Sequence, residues 1–148
     1  MANLKKLNNP CAIRKSSTCW LGEDKLNNSS FCKFTDIFYG IRACAIIIRT
    51  YVTKYRLFTV RDIINRYAPS ADGNDVKSYL DFITYYTRVF SGGRFTLSPS
   101  SVIETDDDLI LLIVCISKIE SSVRLNYDYV NHILQKSDIH LSTHSAPF

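Results

Sequence analysis

The stretch Leu109 to Ile116, "LILLIVCI", contains no polar side chain, and it constrains the fold more than any other part of the chain. A helix that is apolar on every face must be surrounded by other elements, so this segment is expected to form a central helix. Eight residues are far too few to span a bilayer, which needs about 20 apolar residues in a row. The chain must therefore supply the packing partners, and 148 residues, 46% of them hydrophobic, suffice for one domain with a sizeable core. The helix is expected to start at Thr105. Asp106, Asp107 and Asp108 then fall in its first turn, where the helix dipole favours negative charge, so capping is preferred over metal binding as their role.

Four further helices are expected around it. From Asp36 onward, Ile37, Ile41, Cys44, Ala45, Ile48, Tyr51, Val52 and Tyr55 recur at helical spacing and describe one buried stripe. A second helix is expected at 60–67 after the cap Thr59. Its apolar face is Val60, Ile63, Ile64 and Tyr67. Pro69 and Gly73 interrupt the chain, and Asp75 can cap a third helix carrying Val76, Tyr79, Leu80, Ile83 and Tyr86. Residues 91–101 read as a loop with a short extended piece at Phe95–Leu97, and a last helix is expected at 127–136. Residues 8–34 are rich in turn signals around the aromatic anchors Trp20, Phe31 and Phe34, with short strands expected at 31–34. The organisation expected is a flexible segment 1–7, a mainly α domain over 8–136, and a tail over 137–148.

The net charge of +4 is spread from Lys5 to Lys136, without the basic stripe of a nucleic-acid module, so no nucleic-acid partner is expected. The opening "MANLKKLNNP" is basic but lacks an apolar core region, so no secretory signal is expected and the protein should be cytoplasmic at synthesis. The five cysteines show no C-x-x-C pair and no zinc spacing with His132, His140 or His144, so neither a metal nor another cofactor is expected. Spacing favours reduced, structural cysteines and leaves a bridge from Cys11 to Cys19 or Cys32 open.

The apolar helix ends on a carboxylate, Glu120, followed by Ser121 and Ser122. A carboxylate is disfavoured at a helix C-terminus by a few tenths of a kcal/mol up to about 1 kcal/mol. Partial burial also penalises its charged form. Both effects raise its proton affinity, as a general acid requires. The competing reading is a surface Glu paired with Arg124 four residues on. Glu23, in "WLGED", is more readily a solvated loop residue than a catalytic one.

The order of motifs resembles a family of small virion-associated or prophage-encoded proteins, usually labelled phage structural proteins. "NNPCAIR" is similar to the family's Asn-Asn-Pro-Gly-Asn-Ile-Arg opening, with Cys11 and Ala12 in place of Gly and Asn. Trp20-Leu21-Gly22, Phe31 to Phe34, Tyr39 to Ala43, "TVRDIINRYAP" at 59–69 and Asp75 to Tyr79 follow in the family's order. The family's closing Glu-Asn-Gly is matched by Glu120-Ser121-Ser122. These relatives look lysozyme-like. "ISKIESS" also resembles the Glu-Ser motif of lytic transglycosylases and goose-type lysozymes, here with the motifs in circularly permuted order.

What the resemblance implies is a lysozyme-like domain that cleaves peptidoglycan glycan strands by hydrolysis or transglycosylation, associated with the virion and other virion proteins or released to the cell wall. Glu120 would be its acid. Tyr67, Ser70, Ser121, Trp20, Glu23 and Tyr39 would be its substrate contacts. The alternative it leaves is a non-catalytic virion or wall-binding protein that retains the fold.

Overall fold

The computed structural model describes residues 3–141. Five α-helices form the body: α1 (Ile37–Thr53), α2 (Val60–Tyr67), α3 (Val76–Phe90), α4 (Asp106–Ser121) and α5 (Tyr127–Lys136). Each begins where a side-chain oxygen can accept an otherwise unpaired backbone N–H. Asp36, Thr59, Asp75, Thr105 and Asn126 do this for the five helices in turn. Thr105 and Asp108 form a reciprocal capping box.

Helix α4 packs against α1, α3 and α5. Every residue from Leu109 to Ser117 is buried, as the all-round apolar pattern requires. Each fully buried Leu or Ile contributes about 1.5–3 kcal/mol, so this helix is the main source of core stability. The acidic triplet divides its work. Asp108 closes the capping box, Asp107 accepts from the Tyr127 hydroxyl, and Asp106 lies 2.8 Å from His140 Nδ1 and accepts the Leu141 N–H. With Ile139 and Leu141 buried, the chain packs on the body beyond residue 136, where a tail was expected to begin. The remainder of that expected tail, 142–148, lies outside the described residues.

Two strands, β1 (Glu23–Asp24) and β2 (Lys33–Phe34), pair antiparallel, with Glu23 opposite Phe34 and Asp24 opposite Lys33. The segment before them is held by hydrogen bonds. Asn9 is fully buried. Its Nδ2 donates to the carbonyls of Ile13 and Cys32, each at 2.9 Å, and its Oδ1 accepts the Ile13 N–H at 2.9 Å. Asn8 Nδ2 donates to the Phe34 carbonyl at 3.0 Å, and the Phe34 N–H donates to Leu7 O at 2.8 Å. Residue 7, assigned to a flexible segment from the sequence, is thus bonded to β2. Gly40, in the first turn of α1, lets the loop approach: a Cβ there would lie 2.2 Å from Asn8 O.

Two sequence expectations change. α1 ends at Thr53, so Tyr55 leaves the buried stripe and is 43% exposed, lying under Arg66. The 95–97 stretch forms no strand; the Leu97 N–H donates to Thr87 Oγ1 at 2.9 Å. Within "NNPCAIR" the backbone is left-handed at Asn8, with φ of 54°, and at Ala12, with φ of 58°. The family's Asn in place of Ala12 tolerates such a conformation better than Ala does.

Candidate functional site

Glu120 sits in the last turn of α4, and the Tyr79 hydroxyl, from α3, donates to its Oε2 at 2.9 Å. The competing expectation, a pair with Arg124, is not what the structure holds: Arg124 is exposed, and the cation whose charge acts on Glu120 is Arg14. Burial raises the proton affinity of Glu120, while the Tyr79 hydrogen bond and the Arg14 charge oppose the rise. Tyr79 is itself pushed far up, by burial first and then by the Glu120 carboxylate, so it stays a hydroxyl donor.

Glu120 lines an open groove of about 490 Å³ between the start of α3 and the end of α4, together with Asn74, Asp75, Ser78, Phe82 and Lys118. Asp75 has the opposite environment. It accepts from the Ser78 N–H at 3.1 Å and from Ser78 Oγ at 2.8 Å, and these bonds hold its carboxyl below the usual range. One groove thus carries two carboxyl groups pushed in opposite directions, an arrangement suited to acid–base chemistry. Asp75 enters the sequence as a helix cap and Tyr79 as a core position. The Tyr79–Glu120 bond links residues 41 apart, beyond any local pattern.

The other residues expected to contact substrate are dispersed. Tyr67 turns inward: its hydroxyl donates to Cys11 O at 2.5 Å and lies 3.7 Å from Cys44 Sγ, and burial drives its proton affinity up. Ser121 Oγ is spent on the carbonyls of Pro10, at 2.8 Å, and Ser117, at 2.9 Å. Ser122 caps α4 in the left-handed conformation, φ 63°, where the resembled family has Gly. Ser70 is exposed in a short 3₁₀ turn, Ser70–Asp72. Tyr39 packs so close to Gly22 that a Cβ on Gly22 would lie 2.3 Å from its ring.

Glu23 is a strand residue whose side chain is buried, 1% exposed. Its Oε1 accepts the Trp20 N–H at 3.1 Å and its Oε2 lies 3.8 Å from Lys25 Nζ. Burial, reinforced by this carboxylate, pushes the neighbouring Cys32 thiol up to about 12. Trp20 lines a second groove with Arg14, Tyr51, Tyr55 and Arg66. All five cysteines are free.

No family model matches the chain. The chain is similar to "Protein P5" of Pseudoalteromonas phage PM2, with 38% identity over 86 residues, 55% of this chain and 53% of that protein. The chain therefore spans about half the length of the curated relative it matches. The comparison gives the protein a phage relative, and the structure gives it a mainly helical architecture. Among the described residues, no helix is long and apolar enough to cross a membrane.

Proposed function

We propose that the protein is a virion-associated enzyme that cleaves the glycan strands of peptidoglycan, with Glu120 as the acid and then the base. The observation that carries this reading is the partly buried Glu120 carboxyl, raised in proton affinity, on the wall of an open groove. Oε2 is held by Tyr79, and among the described residues Oε1 accepts no hydrogen bond. The protonated acid donates to the glycosidic oxygen, and the bond from that oxygen to C1 of the muramyl sugar breaks. The 6-hydroxyl of the same sugar then attacks C1, and its proton returns to the Glu120 carboxylate. The product is a 1,6-anhydro sugar, and no water is consumed. Asp75, held ionised on the same groove, supplies negative charge near the cation-like transition state. Tyr79 stabilises the Glu120 carboxylate in the interval between its two proton transfers. The phage relative supports a phage origin, with which virion association is consistent.

A second reading, a non-catalytic virion component retaining the fold, is favoured by the inward turn of Tyr67 and by the committed hydroxyl of Ser121. A peptidoglycan zymogram of wild type and Glu120→Gln separates the two. The enzyme reading expects wild-type clearing, reduced about 10²–10⁴-fold by the substitution. Clearing that survives Glu120→Gln removes Glu120 from the chemistry, and no clearing by either protein selects the structural reading.

A further inference from the structure

Arg14 lines one groove and its charge reaches a carboxyl of the other. The groove it lines is the second, of about 490 Å³, with Arg66, Trp20, Tyr51, Tyr55 and Thr18, and the carboxyl is that of Glu120, which lines the first. Arg14 lies 4.7 Å over the Phe31 ring. Arg66 is stacked on two rings, 4.2 Å from the Tyr55 centroid and 5.3 Å from that of Tyr51. Neither guanidinium pairs with a carboxylate among the described residues, and no Asp or Glu lines this groove. Two cations held on aromatic faces, in one concavity that no carboxylate lines, match an anion carried on a ring-shaped ligand. Arginine suits a carboxylate because its planar fork offers paired donors, and the stacking removes part of the entropy cost of binding. Aromatic rings in turn offer apolar faces to the C–H face of a sugar.

We infer that the second groove binds the acidic sugars of the glycan strand, with Arg14 and Arg66 taking the carboxylates and Trp20, Tyr51 and Tyr55 taking the rings. The inference rests on a glycan being the ligand, as proposed above. It adds what that reading lacks, namely selection for an acidic polymer over a neutral one of the same backbone. Peptidoglycan meets the requirement because every second sugar carries a lactyl carboxyl, free once the peptide stem is removed; chitin has none.

Trp20 is the sole tryptophan of the chain and lines this groove, so its fluorescence reports on the site directly. The titration uses Glu120→Gln protein, so that cleavage does not consume the ligand. The probes are stem-free peptidoglycan glycan strands and chito-oligosaccharides of equal length. The expected result is a Trp20 response with at least roughly tenfold tighter binding of the acidic strands. Added Arg14→Gln or Arg66→Gln should bring that affinity down to the level of the neutral oligosaccharides, with the circular dichroism unchanged. Arg14 is exposed and bears no ring stack from the helices, so it tests the idea even if Arg66→Gln fails to fold. Equal affinity for the two probes, no binding of either, or a preference that survives both substitutions overturns the inference. Arginine-dependent binding by a protein whose wild type clears no peptidoglycan would leave the inference standing and remove the enzyme. Clearing without any preference for acidic strands would do the reverse.

Discussion

Helix α4 and the segment before β1 meet at Ser121 and are held together by opposite means. The helix is stabilised by burying every side chain from Leu109 to Ser117, a non-directional effect shared among many contacts. The segment has little regular structure, and its fixed points are single polar atoms: the amide of Asn9, the amide of Asn8 and the close passage of Asn8 O over Gly40. Burial spreads the cost of a substitution over neighbours. A buried amide concentrates it, because the groups left behind have nowhere else to bond. Sequence divergence should therefore be tolerated more easily on α4 than at "NNP".

The strongest way to break this contrast is Asn9→Ala. It removes three hydrogen bonds and strands a buried N–H, so a loss of about 3 kcal/mol or more is expected in chemical denaturation. Ile113→Val on α4, fully buried among hydrophobic neighbours, should cost only about 1 kcal/mol by the same measurement. If Asn9→Ala cost no more than Ile113→Val, the contrast would be wrong.

A gentler test uses two of the left-handed positions. Ser122→Gly, and separately Ala12→Gly, should each raise stability by up to about 1 kcal/mol, because both residues hold a conformation that glycine enters without steric cost. Thermal unfolding measures this directly.

The smallest effect concerns Glu120 and pH. Its proton affinity is higher in the folded protein than in the unfolded chain. The stability it contributes is therefore fully present below the unfolded carboxyl range, near pH 4.5, and is lost as pH rises through the folded value. Glu120→Gln, which never ionises, should gain Tm relative to wild type between pH 4 and pH 7 by roughly 1–3 °C. A difference in Tm that is flat across that range would mean that burial does not penalise the charge.

The helical body was legible in the sequence because its signals are local. Thr59, Asp75 and Thr105 precede apolar periods of helical spacing, and each becomes an N-cap. The site was legible only in part. The end of an apolar helix pointed to Glu120, but its partner Tyr79 lay hidden on an apolar stripe, where a tyrosine reads as core. The echo of a family motif at Asp75 to Tyr79 was the available signal, and both ends of it reach the groove. Tyr67 misled for the same reason in reverse. Its motif suggested a surface over a sugar, whereas its hydroxyl is needed inside, by Cys11 O. Arg14 and Arg66 each fell within a family motif, but nothing local shows that two arginines 52 positions apart share a groove.

The hydrogen bond from Ser121 to Pro10 joins residues 111 apart in the chain. On the ribosome, the loop carrying Pro10 is made early, yet this contact must wait until α4 has emerged. Contacts of such separation carry a large loop-closure cost before they give any return. The end of α4 that presents Glu120 is therefore expected to lock late in folding, and the acid acquires its final surroundings only when the two distant stretches of chain have met.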